Sequence, residues 1–164
     1  MLDQYIRQYG KRLYGLCLTL CGNSYEAEDL YQDTWLRAFQ SLPKYDPGRP
    51  FEPWLTTICV NTYRNILRRI ARSPLLSFRT TEEKEAFLQS VPAPECPDYS
   101  SLYGAIDALP EKLRLAVILF YFQDMDITAT AQILGIPEGT VKSRLSKARK
   151  VLKEVLDHET DLQF

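Results

Sequence analysis

Between Leu134 and Lys150 the chain reads LGIPEGTVKSRLSKARK, and Lys142, Arg144, Lys147, Arg149 and Lys150 fall within its last nine residues with no acid among them. In a chain of formal net charge −1, such a run is either a solvated helix face or a surface for a polyanion. Its apolar neighbours bear on the choice. At helical spacing Val141, Leu145, Ala148 and Leu152 form one stripe, Gly139, Ser143, Ser146, Lys147 and Lys150 point the opposite way, and Thr140, Lys142, Arg144 and Arg149 lie at the sides. Apolar behind and small, hydroxylic or cationic in front suits a major groove, where hydroxyls and Arg reach base edges and Lys neutralises phosphate. Ala131, Gly135 and Val141, with Leu134 and Ile136 as anchors, have the spacing of a helix-turn-helix, and Pro137 suits the first turn of its second helix.

A second stretch of suitable chemistry runs from Tyr45 to Arg69, where Tyr45, Phe51, Trp54 and Tyr63 alternate with Arg49, Arg64, Arg68 and Arg69. Rings stack on bases of any sequence while cations follow the backbone, so the mixture suits single strands; some of these rings, Trp54 first, could equally close the core. Glu26, Asp29 and Asp33 instead form an acidic stripe that repels nucleic acid and fits a basic protein surface. The four cysteines, Cys17, Cys21, Cys59 and Cys96, contain no CxxC, and the single His158 has no sequence partner. Zinc, cofactor and catalytic sites are therefore not expected, and Cys17 and Cys21, four apart on one helix face, read as core thiols.

These residues need elements to carry them, and the periodicity supplies only helices. Ile6, Tyr9, Leu13, Leu16 and Leu20 mark a first amphipathic helix ended by Gly22, and Asn23 with Glu26 caps a second whose inner face is Ala27, Tyr31, Trp35, Ala38 and Leu42. After LPKYDPGRPFEPW, a third helix starts near Pro53, with Leu55, Ile58, Cys59, Thr62, Ile66 and Ile70 inside and Asn61, Arg64, Arg68 and Arg72 outside. From 73 to 100 four prolines and five acids against two bases make a flexible acidic linker with a short helix across EEKEAFLQ. Further helices follow at about 102–108, 110–122, 128–134 and 137–156, with no alternating strand anywhere. The expected fold is all-α: two small helical domains, 1–72 and 101–164, joined by the linker 73–100, the second containing the helix-turn-helix. At 164 residues, each has a thin core. No run of eighteen apolar residues exists and the N-terminus lacks an apolar signal core, so direct membrane insertion is not expected and a cytoplasmic place is.

AEDLYQDTWLRAF (27–39), FEPWLTTICVNTYRNILRR (51–69) and ALPEKLRLAVILFYFQDMDITATAQILGIPEGTVKSRLSKARKVLK (108–153), in this order, closely resemble the extracytoplasmic-function (ECF) group of bacterial RNA polymerase sigma factors of the sigma-70 family. The resemblance covers about 1–72 and 101–157. It implies a non-enzymatic initiation factor whose partners are core RNA polymerase and promoter DNA. Asp29, Gln32, Asp33 and Leu36 would dock on the polymerase. Tyr45, Arg49, Trp54, Asn61, Arg64 and Arg68 would open the −10 element and hold its melted non-template strand. Thr140, Lys142, Ser143, Arg144 and Lys147 would read the duplex −35 element, and the linker would thread the polymerase's nucleic-acid channel. The resemblance also implies an anti-sigma factor able to hold the protein silent, in some cases at the membrane. Departures from the family pattern are Cys59-Val60-Asn61 where a cation is usual, Asn65 where Asp is common, and Thr130 at a normally aliphatic position. The alternative is a free-standing helix-turn-helix regulator that binds duplex DNA without polymerase; it has no need of Asp29 and Asp33.

Overall fold

The computed structural model describes residues 2–72 and 100–162, with side chains through residue 157 except at 100 and 101. The expected linker, its short helix and Cys96 lie outside the described residues, apart from Ser100. All regular elements described are helical. Helix α1 (Leu2–Cys21), α2 (Ser24–Ser41) and α3 (Phe51–Arg72) form one unit. Helix α4 (Ser100–Asp107), α5 (Glu111–Val117), α6 (Ile127–Leu134) and α7 (Glu138–Leu162) form the other.

The first unit follows from its apolar spacing. Leu13, Leu16, Cys17 and Leu20 of α1 are buried with Ala27, Leu30, Trp35 and Ala38 of α2 and Leu55, Cys59 and Val60 of α3. Each such aliphatic side chain contributes about 1.5–3 kcal/mol on removal from water. Asn23 Oδ1 accepts from the Glu26 amide at 2.8 Å, closing the first turn of α2, and Gly22 at φ +79° makes the left-handed exit from α1 that a Cβ would strain. Between α2 and α3, Pro43 sits in a 3-10 turn, Leu42–Lys44. Helix α3 opens at Phe51, two residues before Pro53, because Phe51 is buried and stacks on Tyr5 at 4.2 Å. Cys17 is buried as expected, but Cys21 is only half-buried; the inward thiol partner of Cys17 is Cys59, with the sulfurs 3.8 Å apart. Ile70, expected inside, is 46% exposed, since the buried positions of α3 end at Tyr63 and its last turns project past the helices it packs on.

In the second unit the stretch read as one helix from 110 to 122 changes pitch. Helix α5 widens into a π-helical turn over Ile118–Phe122, closed by the Gln123 amide on the Ile118 carbonyl at 3.1 Å. Asp126 caps α6 through the Ala129 amide at 2.7 Å. Helix α7 continues to Leu162, beyond the expected end near 156, and contains His158. The buried apolar residues of both units join in one cluster, with α3 of the first packed on α6 of the second.

Candidate nucleic-acid and protein interfaces

The helix-turn-helix is built by two local devices. Helix α6 ends in a left-handed Gly135 (φ +68°), with the Gly135 amide on the Gln132 carbonyl at 3.3 Å and the Ile136 amide on the Ala131 carbonyl at 3.0 Å, a Schellman closure. Across the turn, Thr128 Oγ1 donates to Glu138 Oε1 at 2.9 Å, tying the start of α7 back to the start of α6. Val141, Leu145 and Ala148 are buried and Leu152 half-buried, which fixes the rotation of α7. That rotation leaves Lys142, Ser143, Lys147 and Lys150 exposed, with Thr140 and Arg144 half-buried at the margin. Arg149 is committed elsewhere: its Nε donates to the Tyr121 hydroxyl at 2.6 Å and its guanidinium lies 5.7 Å from that ring's centre. Thr130 is fully buried, and its hydroxyl donates to the Met125 carbonyl at 3.4 Å, so the departure from an aliphatic residue leaves no orphan polar group.

The 45–69 stretch divides its rings between core and surface. Phe51 and Tyr63 are buried, while Tyr45 and Trp54 are half-buried, 4.8 Å apart and packed on Phe51. The Tyr45 hydroxyl donates to the Arg49 carbonyl, and Asp46 accepts from the Gly48 amide at 2.9 Å, so the loop is held in shape by its own side chains. Arg49 is exposed, within 3.9 Å of Asp46. Trp54 with Arg49, Pro50, Pro53 and Thr57 lines a cleft of about 840 Å³ whose other wall is Asp126, Thr128, Ala129, Gln132 and Ile133 of the second unit. Asn61 and Arg68 are exposed, but Arg64 is half-buried, its Nη1 donating to the Leu134 carbonyl at 3.3 Å. Burial, then the nearby charges of Arg68 and Arg144, lowers its pKa from the usual arginine range. The outer face of α3 is therefore not all solvent: Arg64 is turned onto the helix-turn-helix. Asn65, Arg68, Arg69 and Arg72 of α3 share an open depression of about 520 Å³ with Arg37 of α2. Periodicity along α3 gives no reason to join Arg37 to this face, because the link is made by packing between helices.

On α2, Asp29, Gln32, Asp33 and Leu36 fall at i, i+3, i+4 and i+7, one face on which all but Asp33 are exposed. Asp33 is half-buried and pairs with Arg37 at 3.4 Å; Leu36 and Phe39 are 56% and 55% exposed. Acid beside bare apolar side chains is unfavourable for DNA and suitable for a protein with a basic rim.

One group escaped the sequence pattern altogether. Arg114 of α5, 5% exposed, donates through Nη2 to the Thr19 and Leu20 carbonyls at 2.7 and 2.9 Å and through Nη1 to the Tyr63 hydroxyl at 3.1 Å. Its own unit supplies Asp107 and Glu111, each at 3.5 Å. Sequence carries no local signal for partners so far along the chain.

Residues 5–73 match the family Sigma-70 region 2, and residues 99–152 match Sigma-70, region 4. The chain is 34% identical over 159 residues to the ECF RNA polymerase sigma factor SigE of Mycolicibacterium smegmatis, covering 94% of this chain and 61% of that protein. It is 31% identical over 149 residues to the ECF RNA polymerase sigma factor EcfG of Rhodopseudomonas palustris, covering 88% and 78%. Among solved structures it is similar to the sigma factor RpoE in complex with the anti-sigma factor NepR from Bartonella quintana, with a TM-score of 0.75, 25% identity, and 94% and 96% of the two chains covered. The fold also matches that of CnrH in complex with the cytosolic domain of CnrY, at a TM-score of 0.69 and 24% identity over 96% and 88% of the chains. Two helical units with a cationic α7, a ringed and basic α3 and an acidic α2 thus coincide with both family regions and with relatives of the same name, and the chain belongs to the ECF RNA polymerase sigma factors of the sigma-70 family.

Proposed function

We propose that this sigma factor acts without catalysis of its own, by carrying core RNA polymerase to promoters, reading the −35 element with α7 and holding the opened −10 element on α3. The observation that carries the reading is the coexistence of two kinds of surface: cationic faces on α3 and α7, and on α2 an exposed acidic and apolar strip that a protein binding DNA alone would not use. Thr140, Lys142, Ser143, Arg144 and Lys147 contact the −35 duplex, with Lys147 serving a phosphate. Tyr45, Arg49, Trp54, Asn61, Arg64 and Arg68 take the melted non-template strand, where stacking on a ring offsets the few kcal/mol of unstacking each base. Asp29, Gln32, Asp33 and Leu36 meet the polymerase. Site of action is the bacterial cytoplasm; no described helix is long and apolar enough to cross a membrane. An anti-sigma factor is the expected inhibitor, on the likeness of the whole chain to a sigma factor bound to one.

The test is run-off transcription by bacterial core polymerase on a genomic fragment pool, with and without the protein. Promoter-dependent transcripts only in its presence are expected. Tight duplex binding by the protein alone, with no such transcripts, would instead favour the free-standing regulator.

A further inference from the structure

Among the described residues three arginines cross the joint between the two units, and all three end on carbonyls at the C-terminus of a helix in the opposite unit. Arg114 reaches Thr19 and Leu20 at the end of α1. Arg12 of α1 donates to the carbonyl of Gln123, the residue that closes the π-helical end of α5, at 3.1 Å. Arg64 of α3 donates to Leu134, the last residue of α6, at 3.3 Å. The last carbonyls of a helix have no partner within it and carry its negative end, so a cation placed there is doubly favourable. We infer that Arg114, Arg12 and Arg64 form a three-point latch that holds the two units shut, with Arg64 and Trp54 of the proposed strand-binding set turned onto the helix-turn-helix, and that capture of single-stranded DNA requires its release.

The latch is built to be reversible. A buried guanidinium stripped of partners is costly, but Asp107 and Glu111 belong to the same unit as Arg114 and stay beside it when the units part. Arg12 likewise keeps Glu52 of its own unit, Nε to Oε1 at 2.9 Å. Arg114 and Arg12 are thus neutralised whether shut or open, and to these two the shut state adds the carbonyls and the Tyr63 hydroxyl. The shut state also brings Arg64 near Arg144 of α7, a like charge that favours parting.

The occlusion part of this inference rests on the promoter reading, which itself demands opening. Elements centred roughly 25 base pairs apart are separated by about 85 Å of B-DNA at about 3.4 Å per pair. A compact chain of this length has a radius of gyration of only about 15 Å. The segment 73–99, drawn out fully, reaches on the order of 90 Å, enough to permit the separation.

The experiment uses the full chain with Arg114→Met and Arg12→Ala, singly and together. Neither residue belongs to the proposed DNA or polymerase contacts. Solution X-ray scattering is read first: the double variant should keep its helical circular dichroism while its radius of gyration rises by several ångströms. Fluorescence anisotropy with a labelled single-stranded oligonucleotide is read second: affinity should rise about three- to tenfold, because the competent state is no longer a minor one. Unchanged scattering with helicity intact overturns the latch. Expansion without a gain in strand affinity overturns the occlusion. Should Arg114→Met unfold the chain, Arg12→Ala decides alone, since that side chain is half exposed and its loss leaves no cavity; no change in either readout then refutes the inference. Scattering involves neither promoter nor polymerase, so a failed promoter reading would show separately as absent run-off transcripts.

Discussion

Tyr63 has its phenol between Arg114, which donates to it, and Glu111, to which it donates at 3.4 Å. Burial, then the charge of Glu111, pushes its pKa up to about 12, and burial, then Glu26, pushes the Cys21 thiol up to about 12 as well. Cys17 is raised further by its contact with Cys59 and by burial. For all three the folded value lies above the unfolded one, so the stability they confer is complete below the unfolded pKa and disappears as pH rises through the folded value. Resistance to urea should therefore hold to about pH 8 and fall between about pH 9 and 12. The Tyr63→Phe, Cys21→Ser double variant should show a shallower fall, and equal slopes would remove these groups as the cause. Asp126→Ala should lower stability by about 1 kcal/mol through loss of the α6 cap, seen as a drop of several degrees in Tm. Gly135 and Asn23 can be read in sequence because their work is done within four residues. Arg114 cannot, since its acceptors at Thr19, Leu20 and Tyr63 are joined to it only by the tertiary fold.

At the scale of the element, each helix has two faces, and the inner one is where periodicity is most informative. The stripe Val141, Leu145, Ala148 and Leu152 dictates which cations of α7 face outward, and the structure leaves Lys142 and Lys147 exposed while Tyr121 takes Arg149. Lys147→Ala should weaken binding to −35 duplex and reduce the slope of log K against log salt by about 0.9, the value for one phosphate; an unchanged slope would remove that contact. On α2, Asp33→Lys should reduce affinity for core polymerase by about tenfold, a change of about 1.4 kcal/mol, without altering duplex binding. Loss of both together would point to misfolding instead. Pattern was less informative where a helix runs past its support or changes pitch. Ile70 keeps helical register yet stays 46% exposed, and the π-helical turn at Ile118–Phe122 inserts its extra residue in an unbroken apolar run, ILFYF, that offers no break to read.

At the scale of the molecule, one apolar cluster passes through both units, so they should unfold together. Calorimetry of the unmodified chain should give a single transition with matching calorimetric and van't Hoff enthalpies. Arg114→Met should split it in two, and a single transition in that variant would mean that apolar packing alone couples the units. The placement of α3 against α6 was not legible in sequence, because nothing in the composition of either face distinguishes a partner within the chain from one outside it. The buried pair Cys17 and Cys59 is a contact between α1 and α3 within the first unit, not one made across the joint. Alkylating reagents attack only a thiolate they can reach, so this pair should stay silent whenever the units merely swing apart and react only when the three helices themselves separate. The rate of labelling at these two sulfurs is thus an internal clock for disassembly of the bundle, ticking independently of the larger swing that brings the protein to DNA.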